Sequence, residues 1–310
     1  MVVYGKQFGS IEESVEVWRE FDLDLSLNAS FVLPLFDKHH DEYVKFYGWN
    51  RGLKLRKETN TLKISHGTFR EALLLSGAWF NPHVEIKKTE RNARNILEEF
   101  LGVFPGLGVA INPWDRLAIL YTIFLSRNTD YYRNTVPWMR KILEKAKSED
   151  KLFMVNVSSI GKSYQIKQLS MVKQDFEEIR KEMVEQDHSL NDFMNIRKRI
   201  LSVKYCGPKI VHGWGLFSLG LTCLSQVDRH LLIIGKSLGI ISSDDKIPSK
   251  NFCINSRCFI NNDCEILNKC ITYKLYKFFG DMAGWFQTAV YLYGVKYLRN
   301  GMDPYRILRR

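Results

Sequence analysis

The segment Val203–Val211 reads VKYCGPKIV and separates two stretches that have the hydrophobic periodicity of helices. The helix before it is predicted over 190–202 and the helix after it over 210–219. A tight turn containing Gly207 joins them, and Pro208 is placed to open the second helix, where proline is favoured. Such a helix-hairpin-helix presents unpaired backbone N–H groups, which suit a DNA phosphate without reading sequence. Turns of this kind are common, so the segment is a weak signal when taken alone.

A second short segment, Val227–His230, reads VDRH and follows the hairpin. Asp228 comes 19 residues after Lys209 and opens another apolar helix, predicted over 231–238. Aspartate is a good N-cap, which would account for Asp228 without any function. Together, the two segments resemble the helix-hairpin-helix-GPD superfamily of base-excision DNA glycosylases, whose signature is a hairpin with G-x-K followed some twenty residues later by V-D-x-H.

The resemblance implies that Lys209 is the catalytic nucleophile. A neutral lysine amine can attack the sugar C1′, expel the base and form a Schiff base that permits β-elimination of the 3′ phosphate. Desolvation can make a lysine neutral, whereas an arginine stays charged. Asp228 would stabilise the positive charge that develops on the sugar and assist proton transfer. This chemistry requires no cofactor.

A further motif, Ala283–Tyr291, reads AGWFQTAVY and resembles the last helix of the 8-oxoguanine branch of that superfamily. Gln287 and Tyr291 are spaced i and i+4, so on a helix they point the same way. The amide of Gln287 could read the Watson–Crick edge of a purine, and the ring of Tyr291 could stack on a flipped base. The alternative is an amphipathic core helix with an incidental glutamine.

Five other positions match residues of that branch that contact DNA. Asn128 would fill the hole left by the extruded nucleotide, and Arg133 would contact the estranged cytosine. Tyr164 would be the wedge that buckles the duplex. Gly207 in the hairpin and His230 in the VDRH segment would bind phosphates. Each of these residues, taken singly, could equally be an ordinary surface or core residue.

The first ~65 residues are predicted to be β. Phe21–Leu27 alternates apolar and polar residues with the period of a half-buried strand. The segments 52–56 and 61–64 alternate in the same way and are joined by a polar turn. The aromatic stretch 43–49 precedes them, so an antiparallel sheet is expected.

Asp22–Phe31 reads DLDLSLNASF and resembles the start of the extra β domain found in the 8-oxoguanine and 3-methyladenine branches. In the former, a glycine carbonyl in this segment senses the N7 hydrogen of 8-oxoguanine. Asn28 stands at that position, and any residue keeps its main-chain carbonyl. Asn28 is therefore a third candidate for base recognition, beside Gln287 and Tyr291.

The fold class expected is α+β, with mostly helical helix-hairpin-helix glycosylase lobes and an N-terminal antiparallel β-sheet domain. We expect residues 1–105 to hold the β domain and the first connecting helices, and residues 106–310 to form the helical region. Pro113, after Asn112 as N-cap, is expected to open one of its helices. Residues 242–271 lack clear periodicity and predict an insertion. The helices predicted before the hairpin span 68–78, 89–103, 113–127, 134–147, 165–186 and 190–202.

The sequence departs from the family pattern at several places besides Asn28. Tyr205 replaces the first glycine of the usual P-G-V-G hairpin, so the turn has one flexible residue fewer. Gly213 stands where the family has a side chain against one face of the base, and Gln165 follows Tyr164 where arginine is usual. The glycosylase chemistry is therefore better supported than specificity for oxidised guanine.

Four of the six cysteines, Cys253, Cys258, Cys264 and Cys270, lie within 18 residues. Their C-x4-C-x5-C-x5-C spacing differs from the iron–sulfur motif of endonuclease III relatives, C-x6-C-x2-C-x5-C, and they precede the last helix instead of following it. Free thiols, two disulfides and a structural metal site all remain open, since four thiols in one loop can fold around a metal ion.

The formal net charge of +11 is unevenly distributed. Residues 1–110 carry 14 basic and 15 acidic side chains, residues 111–200 carry 16 and 12, and residues 201–310 carry 15 and 7. A basic C-terminal region is typical of a polyanion-binding face, although a solvated lysine-rich surface would give the same count. Neither a membrane span nor a signal peptide is evident, so an intracellular protein is expected, nuclear in a eukaryote and cytoplasmic in a prokaryote.

The sequence therefore predicts an enzyme whose partner is double-stranded DNA containing a damaged base. The leading hypothesis is a bifunctional DNA glycosylase and AP lyase that removes 8-oxoguanine opposite cytosine. A glycosylase for a different damaged base is the alternative within the same class. The competing class is a non-catalytic helix-hairpin-helix DNA-binding protein, in which Lys209 would be only a phosphate contact. The resemblance also implies a monomer.

Overall fold

The computed structural model describes residues 12–185 and 189–301. Five strands form one antiparallel sheet in the order β1-β5-β4-β3-β2. The predicted hairpin is confirmed, with Leu55 opposite Ile64 and both side chains in the core. The strands are β1 (Glu13–Glu16), β2 (Phe36–His39), β3 (Glu42–Lys45), β4 (Lys54–Glu58) and β5 (Thr61–Ser65).

The two outer strands, β1 and β2, are absent from the sequence-based prediction. In β1 three of the four side chains are exposed, and β2 buries only Phe36. Neither strand therefore carries the period-2 hydrophobic pattern that reveals a half-buried strand. Pairing with a neighbouring strand, which is a long-range effect, creates both.

Helices make up most of the remaining described chain. Those predicted from the sequence are present with boundaries that differ by at most three residues, and the predicted end of 165–186 extends one residue beyond the described range. The helices are α1 (Leu23–Asn28), α2 (Phe69–Ser76), α3 (Pro82–Glu85), α4 (Arg91–Val103), α5 (Arg116–Leu125), α6 (Val136–Ala146), α7 (Tyr164–Glu185), α8 (Leu190–Ser202), α9 (Pro208–Leu219), α10 (Arg229–Ser237), α11 (Lys250–Cys253), α12 (Cys258–Asn261), α13 (Ile271–Phe279) and α14 (Ala283–Lys296).

The strand predicted at Phe21–Leu27 is wrong, because this segment forms α1. Asp22 is the N-cap, and its side chain accepts a hydrogen bond from the backbone N–H of Leu25 at 2.9 Å. Leu23 and Leu27 are buried at 4% and 0% exposure. An alternating pattern also places apolar residues at i and i+4, so over six residues it fits one face of a short helix equally well.

The predicted start of α5 at Pro113 is also wrong, since the helix begins at Arg116 with Asp115 as N-cap. The side chain of Asn112 accepts hydrogen bonds from the backbone N–H groups of Trp114 and Asp115, both at 3.0 Å. This local turn competes with the helix for the same backbone groups and delays its first turn.

The helix α5 is buried along its whole length and packs against α7 and α9. A buried ion pair joins its N-terminus to the sheet, where the ammonium group of Lys45 lies 2.7 Å from the carboxylate of Asp115 at 0% and 1% exposure. Just beyond its other end, the hydroxyls of Tyr131 and Tyr132 donate hydrogen bonds to backbone carbonyls at the end of α1, at 2.6 and 2.8 Å. The N-terminal segments are thereby held against the helical region.

Residues 242–271, predicted to be an insertion, contain the short helices α11 and α12, a 3-10 turn at Leu267–Lys269 and a single bridge between Lys246 and Cys270. Residues 1–11, on which the expectation of no signal peptide depends, lie outside the described residues. Within the described residues, no helix is both long and apolar enough to cross a membrane.

Candidate active site

A cavity of about 460 Å³ opens beside the N-terminus of α9. Its walls come from the end of α1, the segment after α5, α9, the start of α10 and α14. Segments far apart in the sequence therefore meet in one concave site, the usual setting of a small-molecule or base pocket. Six of the sequence-predicted site residues line this cavity, namely Asn128, Lys209, Asp228, His230, Gln287 and Tyr291.

The helix-hairpin-helix delivers Lys209 to the cavity. Lys209 is the second residue of α9, after Gly207 as N-cap and Pro208 in the first position. The left-handed residue of the turn is Tyr205, with φ of 65°, whereas Gly207 is extended. Among the described residues nothing lies within 4 Å of a Cβ placed on Gly207, so this side of the hairpin is open to a large ligand.

Asp228 combines a structural and a site position. It is the N-cap of α10, and its Oδ1 accepts a hydrogen bond from the N–H of Leu231 at 2.8 Å. Its Oδ2 accepts a longer hydrogen bond from the Nε2 of Gln287 at 3.4 Å. The carboxylate is half-buried at the cavity wall. The cap thus fixes one oxygen of the carboxylate and leaves the other directed to the α14 side of the cavity.

Gln287 and Tyr291 both line the cavity from α14, as the i, i+4 spacing predicts. Gln287 is only 3% exposed, and its Oε1 has no hydrogen-bond partner within the described chain. A buried amide oxygen without a partner costs free energy unless a ligand supplies a donor. The ring of Tyr291 lies edge-on to that of His230, with centroids 6.0 Å apart. His230 is almost buried, at 6% exposure.

Gln226 is a cavity residue that sequence reasoning missed. A Cβ placed on Gly213 would lie 1.6 Å from the Nε2 and 2.6 Å from the Cδ of Gln226, so the glutamine fills the space that a side chain at position 213 would take. The Nε2 of Gln226 also donates a hydrogen bond to the carbonyl of Lys209 at 3.1 Å. Only the pairing of an absent side chain at 213 with an amide at 226 could have indicated this from the sequence.

The apolar wall of the cavity was also missed. Phe31 packs edge-on against Phe217 and Tyr131, with centroid distances of 5.0 and 5.5 Å. All three residues line the cavity. Phe31 ends the Asp22–Phe31 motif, but the sequence analysis gave no site role to it, to Tyr131 or to Phe217, which are far apart in the sequence.

Asn28 lies just outside the cavity lining, which begins at Ala29. Its carbonyl accepts the hydrogen bond from the hydroxyl of Tyr132, and its side-chain amide donates to the carbonyl of Asp24 at 2.8 Å. The main-chain carbonyl expected to sense a base is therefore already bonded within the protein.

Two of the residues predicted to contact DNA, Asn128 and Tyr164, lie next to Arg127. The carbonyl of Arg127 accepts hydrogen bonds from the hydroxyl of Tyr164 at 3.2 Å and from the amide of Gln165 at 2.8 Å. Its guanidinium donates to the carbonyl of Tyr205 in the hairpin at 3.0 Å and to the side chain of Gln168 at 2.8 Å.

Three of the predicted DNA contacts are exposed. Asn128, the next residue after Arg127, has φ of 48°. Tyr164 is 46% exposed at the first position of α7. Arg133 is also exposed, in a turn whose start is capped by Asp130. Their side chains are thus placed where a ligand outside the cavity can reach them.

The cysteine quartet, Cys253, Cys258, Cys264 and Cys270, lines a second and much smaller cavity together with Arg197 and His212. All six cysteines are free thiols in the described chain. As they stand, no three His, Cys, Asp or Glu side chains of residues 12–185 and 189–301 are grouped so that they could hold a metal ion. Burial and the nearby charge of Arg197 lower the pKa of His212 to about 3, so its ring is neutral.

One antiparallel sheet and a mostly helical remainder that contains the helix-hairpin-helix confirm the expected α+β class. No family model matches the sequence, and no curated protein is similar to it. The structure of MBOgg1 in complex with a low-affinity DNA ligand is similar at a TM-score of 0.62 and 16% identity, over 95% of this chain and 99% of that one.

Two further solved structures are similar at comparable levels. The Clostridium acetobutylicum 8-oxoguanine glycosylase/lyase, in complex with double-stranded DNA that contains cytosine opposite 8-oxoguanine, has a TM-score of 0.61 and 16% identity over 94% of this chain and 99% of that one. The 3-methyladenine DNA glycosylase from Archaeoglobus fulgidus has a TM-score of 0.60 and 10% identity over 91% and 98%. The chain shares the fold of these glycosylases along most of its length.

Proposed function

We propose that this protein is a DNA glycosylase with AP lyase activity that removes 8-oxoguanine opposite cytosine by base flipping. The observation that carries the proposal is the cavity that brings Lys209 and Asp228 together with the buried, unpartnered amide oxygen of Gln287. A passive DNA-binding module has no need of a pocket large enough for a base, lined by an amine and a carboxylate. The similar solved structures, which include glycosylases in complex with DNA, support the same conclusion.

In this mechanism the extruded base enters the cavity and its sugar lies at the N-terminus of α9. The Nζ of Lys209 forms a bond to C1′ as the glycosidic bond breaks, and the base leaves with the bonding electrons and takes up a proton. Asp228 stabilises the positive charge that develops on the sugar. The sugar ring opens to a Schiff base, a C2′ proton is removed, and the C3′–O bond breaks with release of the 3′ phosphate.

Base recognition falls to side chains from opposite walls of the cavity. Gln287 presents its free amide oxygen to a donor on the base. Phe31 and Phe217 supply apolar surface, and Tyr291 supplies a ring for stacking. We infer that Gln226, which occupies the space above Gly213, contacts the face or edge of the base where the family pattern has a side chain at position 213.

A different damaged base is the second candidate, and Asn28 favours it. The carbonyl of Asn28 already accepts a hydrogen bond from Tyr132 and lies outside the cavity lining, so it is poorly placed to accept the N7 hydrogen that distinguishes 8-oxoguanine from guanine. A damaged purine recognised through its Watson–Crick edge alone would need only Gln287 and the stacking residues. The fold of a 3-methyladenine DNA glycosylase is also similar to that of this chain.

The test is borohydride trapping on duplexes that contain 8-oxoguanine opposite cytosine, an abasic site or undamaged guanine. We expect a covalent adduct with the first two duplexes, and none with any duplex for Lys209→Gln. Lys204→Gln is the matched control, because Lys204 lies in the same hairpin but is exposed and outside the cavity. An adduct with the abasic duplex alone would retain the lyase and assign a different base.

The absence of any adduct would contradict the lyase assignment. In that case, base release without strand cleavage would identify a monofunctional glycosylase. Binding without base release would identify a DNA-binding module, and its affinity should still fall steeply with salt because the contacts are to phosphates.

A further inference from the structure

Gln226 lies in the segment between α9 and α10, and its amide is held in one orientation. Its Nε2 donates a hydrogen bond to the carbonyl of Lys209 at 3.1 Å. The reversed amide would place two oxygen atoms at that distance, so the nitrogen belongs on the Lys209 side and the oxygen on the other. Gln226 is 4% exposed and lines the candidate active-site cavity.

The Oε1 of Gln226 accepts no hydrogen bond from the residues that the structure describes. It is also not among the fully buried polar atoms of these residues that lack a partner, so it is open to the cavity. Gln287 is oriented in the same way, because its Nε2 donates to the carboxylate of Asp228 and its Oε1 has no partner in the described chain. Two glutamines from different segments therefore present acceptors to the cavity.

Four hydroxyl groups of the lining have already used their hydrogen atoms. The side chains of Ser30, Ser126, Tyr131 and Thr288 each donate to a backbone carbonyl, at 2.7, 2.8, 2.6 and 2.8 Å. They line the cavity but have no donor left to offer a ligand. A base that binds here must therefore supply donors to both glutamine oxygens.

Undamaged guanine has hydrogen-bond donors on one edge only. Its Watson–Crick edge carries N1–H and the N2 amino group, whereas its N7 is a bare acceptor. A bare N7 against the Oε1 of Gln226 would set two acceptors against each other and leave both without a partner, which costs free energy. Oxidation of guanine at C8 places a hydrogen on N7, and the ring-opened formamidopyrimidine keeps an N–H at the same position.

We propose that Gln226 is a specificity-determining residue, which accepts the N7 hydrogen of the damaged base while Gln287 accepts from its Watson–Crick edge. This inference rests on the proposed function and narrows its lesions to guanines that carry a hydrogen on N7. The main-chain carbonyl of Asn28, which is bonded to Tyr132, is then not required as the acceptor. Gly213 belongs to the same arrangement, because a Cβ there would overlap the amide of Gln226.

The place of Gln226 beside Lys209 favours the N7 edge over the Watson–Crick edge. The five-membered ring of a purine carries both N7 and N9, and N9 is bonded to C1′, the atom that Lys209 attacks in the proposed mechanism. Because the amide of Gln226 is bonded to the backbone of Lys209, its oxygen lies at the end of the cavity that receives this ring. The Watson–Crick edge belongs to the six-membered ring and is left to Gln287.

The experiment measures base release from duplexes that contain 8-oxoguanine, 8-methoxyguanine or guanine opposite cytosine. 8-Methoxyguanine has a substituent at C8 but a bare N7. The parent protein should release 8-oxoguanine about tenfold faster than 8-methoxyguanine, or more, because the analogue loses one hydrogen bond and leaves an acceptor unpaired. Equal rates on these two duplexes would overturn the inference without the use of any variant.

Gln226→Met provides the second arm, since methionine has a similar length but no amide. The ratio of the two release rates should fall about tenfold, and cleavage of an abasic duplex should change little. A preference caused by the size of the methoxy group would persist in this variant and would contradict the role of Gln226. Gln174→Met is the matched control, because Gln174 is exposed on α7 and lies outside the cavity.

Cleavage of the abasic duplex separates the failure of this inference from the failure of the proposed function. Protein that cleaves abasic DNA but does not distinguish 8-oxoguanine from 8-methoxyguanine would keep the lyase and overturn only the role of Gln226. Protein that neither cleaves abasic DNA nor releases a base would overturn the proposed function, and the role of Gln226 with it. Since base release is measured directly, the rate ratio is also obtained from a monofunctional glycosylase.

Discussion

Helix α9 has a cavity on each side, and the two differ in nearly every physical respect. The larger, about 460 Å³, is lined by an amine, a guanidinium, two carboxylates, three amides and aromatic rings. The smaller, about 10 Å³, is lined by four thiols, a neutral histidine and a buried guanidinium. The first has room for a ligand of the size of a base, whereas the second does not.

The difference gives a way to separate function from stability on a single helix. Changes in the larger cavity should alter catalysis and leave the fold intact, and changes in the smaller cavity should alter stability and leave the chemistry intact. Each cavity contains polar atoms with no hydrogen-bond partner among the described residues, the Oε1 of Gln287 in one and the Nε and Nη2 of Arg197 in the other. The unsatisfied acceptor of Gln287 lies in a cavity large enough for a ligand to reach it, whereas the unsatisfied atoms of Arg197 lie beside a space of about 10 Å³.

The largest effect is expected for Asp228→Asn. Asparagine caps a helix as well as aspartate does, so α10 and the thermal stability should be unchanged. Loss of the carboxylate should slow base excision by roughly 10²- to 10⁴-fold. Single-turnover kinetics and thermal denaturation measure the two effects. A melting temperature that fell together with the rate would show that Asp228 acts only as a cap.

Lys45→Met measures how much a buried, paired cation contributes to the free energy of unfolding. This gives a reference value for the buried cation Arg197. Removing the ammonium group leaves the carboxylate of Asp115 buried and unpaired, which should destabilise the protein by about 3–5 kcal/mol. Chemical denaturation measures the change. Lys38→Met, at the exposed ion pair with Asp24, is the control and should cost no more than about 1 kcal/mol. Equal losses in the free energy of unfolding for the two substitutions would show that burial of the Lys45 pair adds nothing to its contribution.

Gln226→Ala should reduce excision of the damaged base about tenfold, in keeping with the loss of one buried polar contact. Cleavage of an abasic duplex should change little, because no base is present to be read. Gly213→Ala alone should displace the glutamine and give the same defect, since its Cβ would lie 1.6 Å from the amide nitrogen. Equal losses of activity on the damaged-base duplex and the abasic duplex would instead show that Gln226 positions Lys209, through its hydrogen bond to the main-chain carbonyl of Lys209.

The smallest effect concerns pH and lies away from both cavities. Burial raises the pKa of Glu149, and the nearby negative charge of Asp115 raises it further, so the folded state favours the protonated acid. This contribution to stability is complete below the ordinary glutamate pKa and is lost as the pH rises through the higher folded-state value.

Glu149→Gln should therefore become stabilising relative to the parent as the pH is raised from about 5 toward 8, where the parent must ionise a buried carboxyl. Melting temperatures of both proteins across that range measure the difference. A difference that is constant with pH would show that the carboxyl titrates normally.

The sequence predicted the parts of the molecule that depend on local signals. The proline at the start of α9, the aspartate N-cap of α10 and the i, i+4 spacing of Gln287 and Tyr291 all act within a few residues. These signals placed Lys209, Asp228, Gln287 and Tyr291 correctly enough for the structure to bring all four to one cavity. The same local reasoning failed for α1, because six alternating residues satisfy both a strand and one face of a helix.

Features that depend on long-range contacts were beyond sequence reasoning. Gln226 fills the space above Gly213 only because α9 and the segment before α10 lie side by side. Arg197 meets the cysteine quartet across more than 50 residues of chain, through its bonds to Cys253 and Ser256. The loss of Asn28 as a free acceptor likewise depends on Tyr132, which lies 104 residues away.

Arg127 links several of the segments that are candidates to touch DNA. Its guanidinium lies 3.7 Å from the centre of the Phe124 ring and donates a hydrogen bond to the carbonyl of Tyr205 in the hairpin. Its own carbonyl accepts hydrogen bonds from the side chains of Tyr164 and Gln165 at the start of α7. Tyr164, the hairpin and Asn128 are thus joined before any ligand arrives. The entropy of arranging these parts relative to one another is lost at folding and not at binding. Under the proposed function, more of the energy of DNA contact therefore remains to extrude a base.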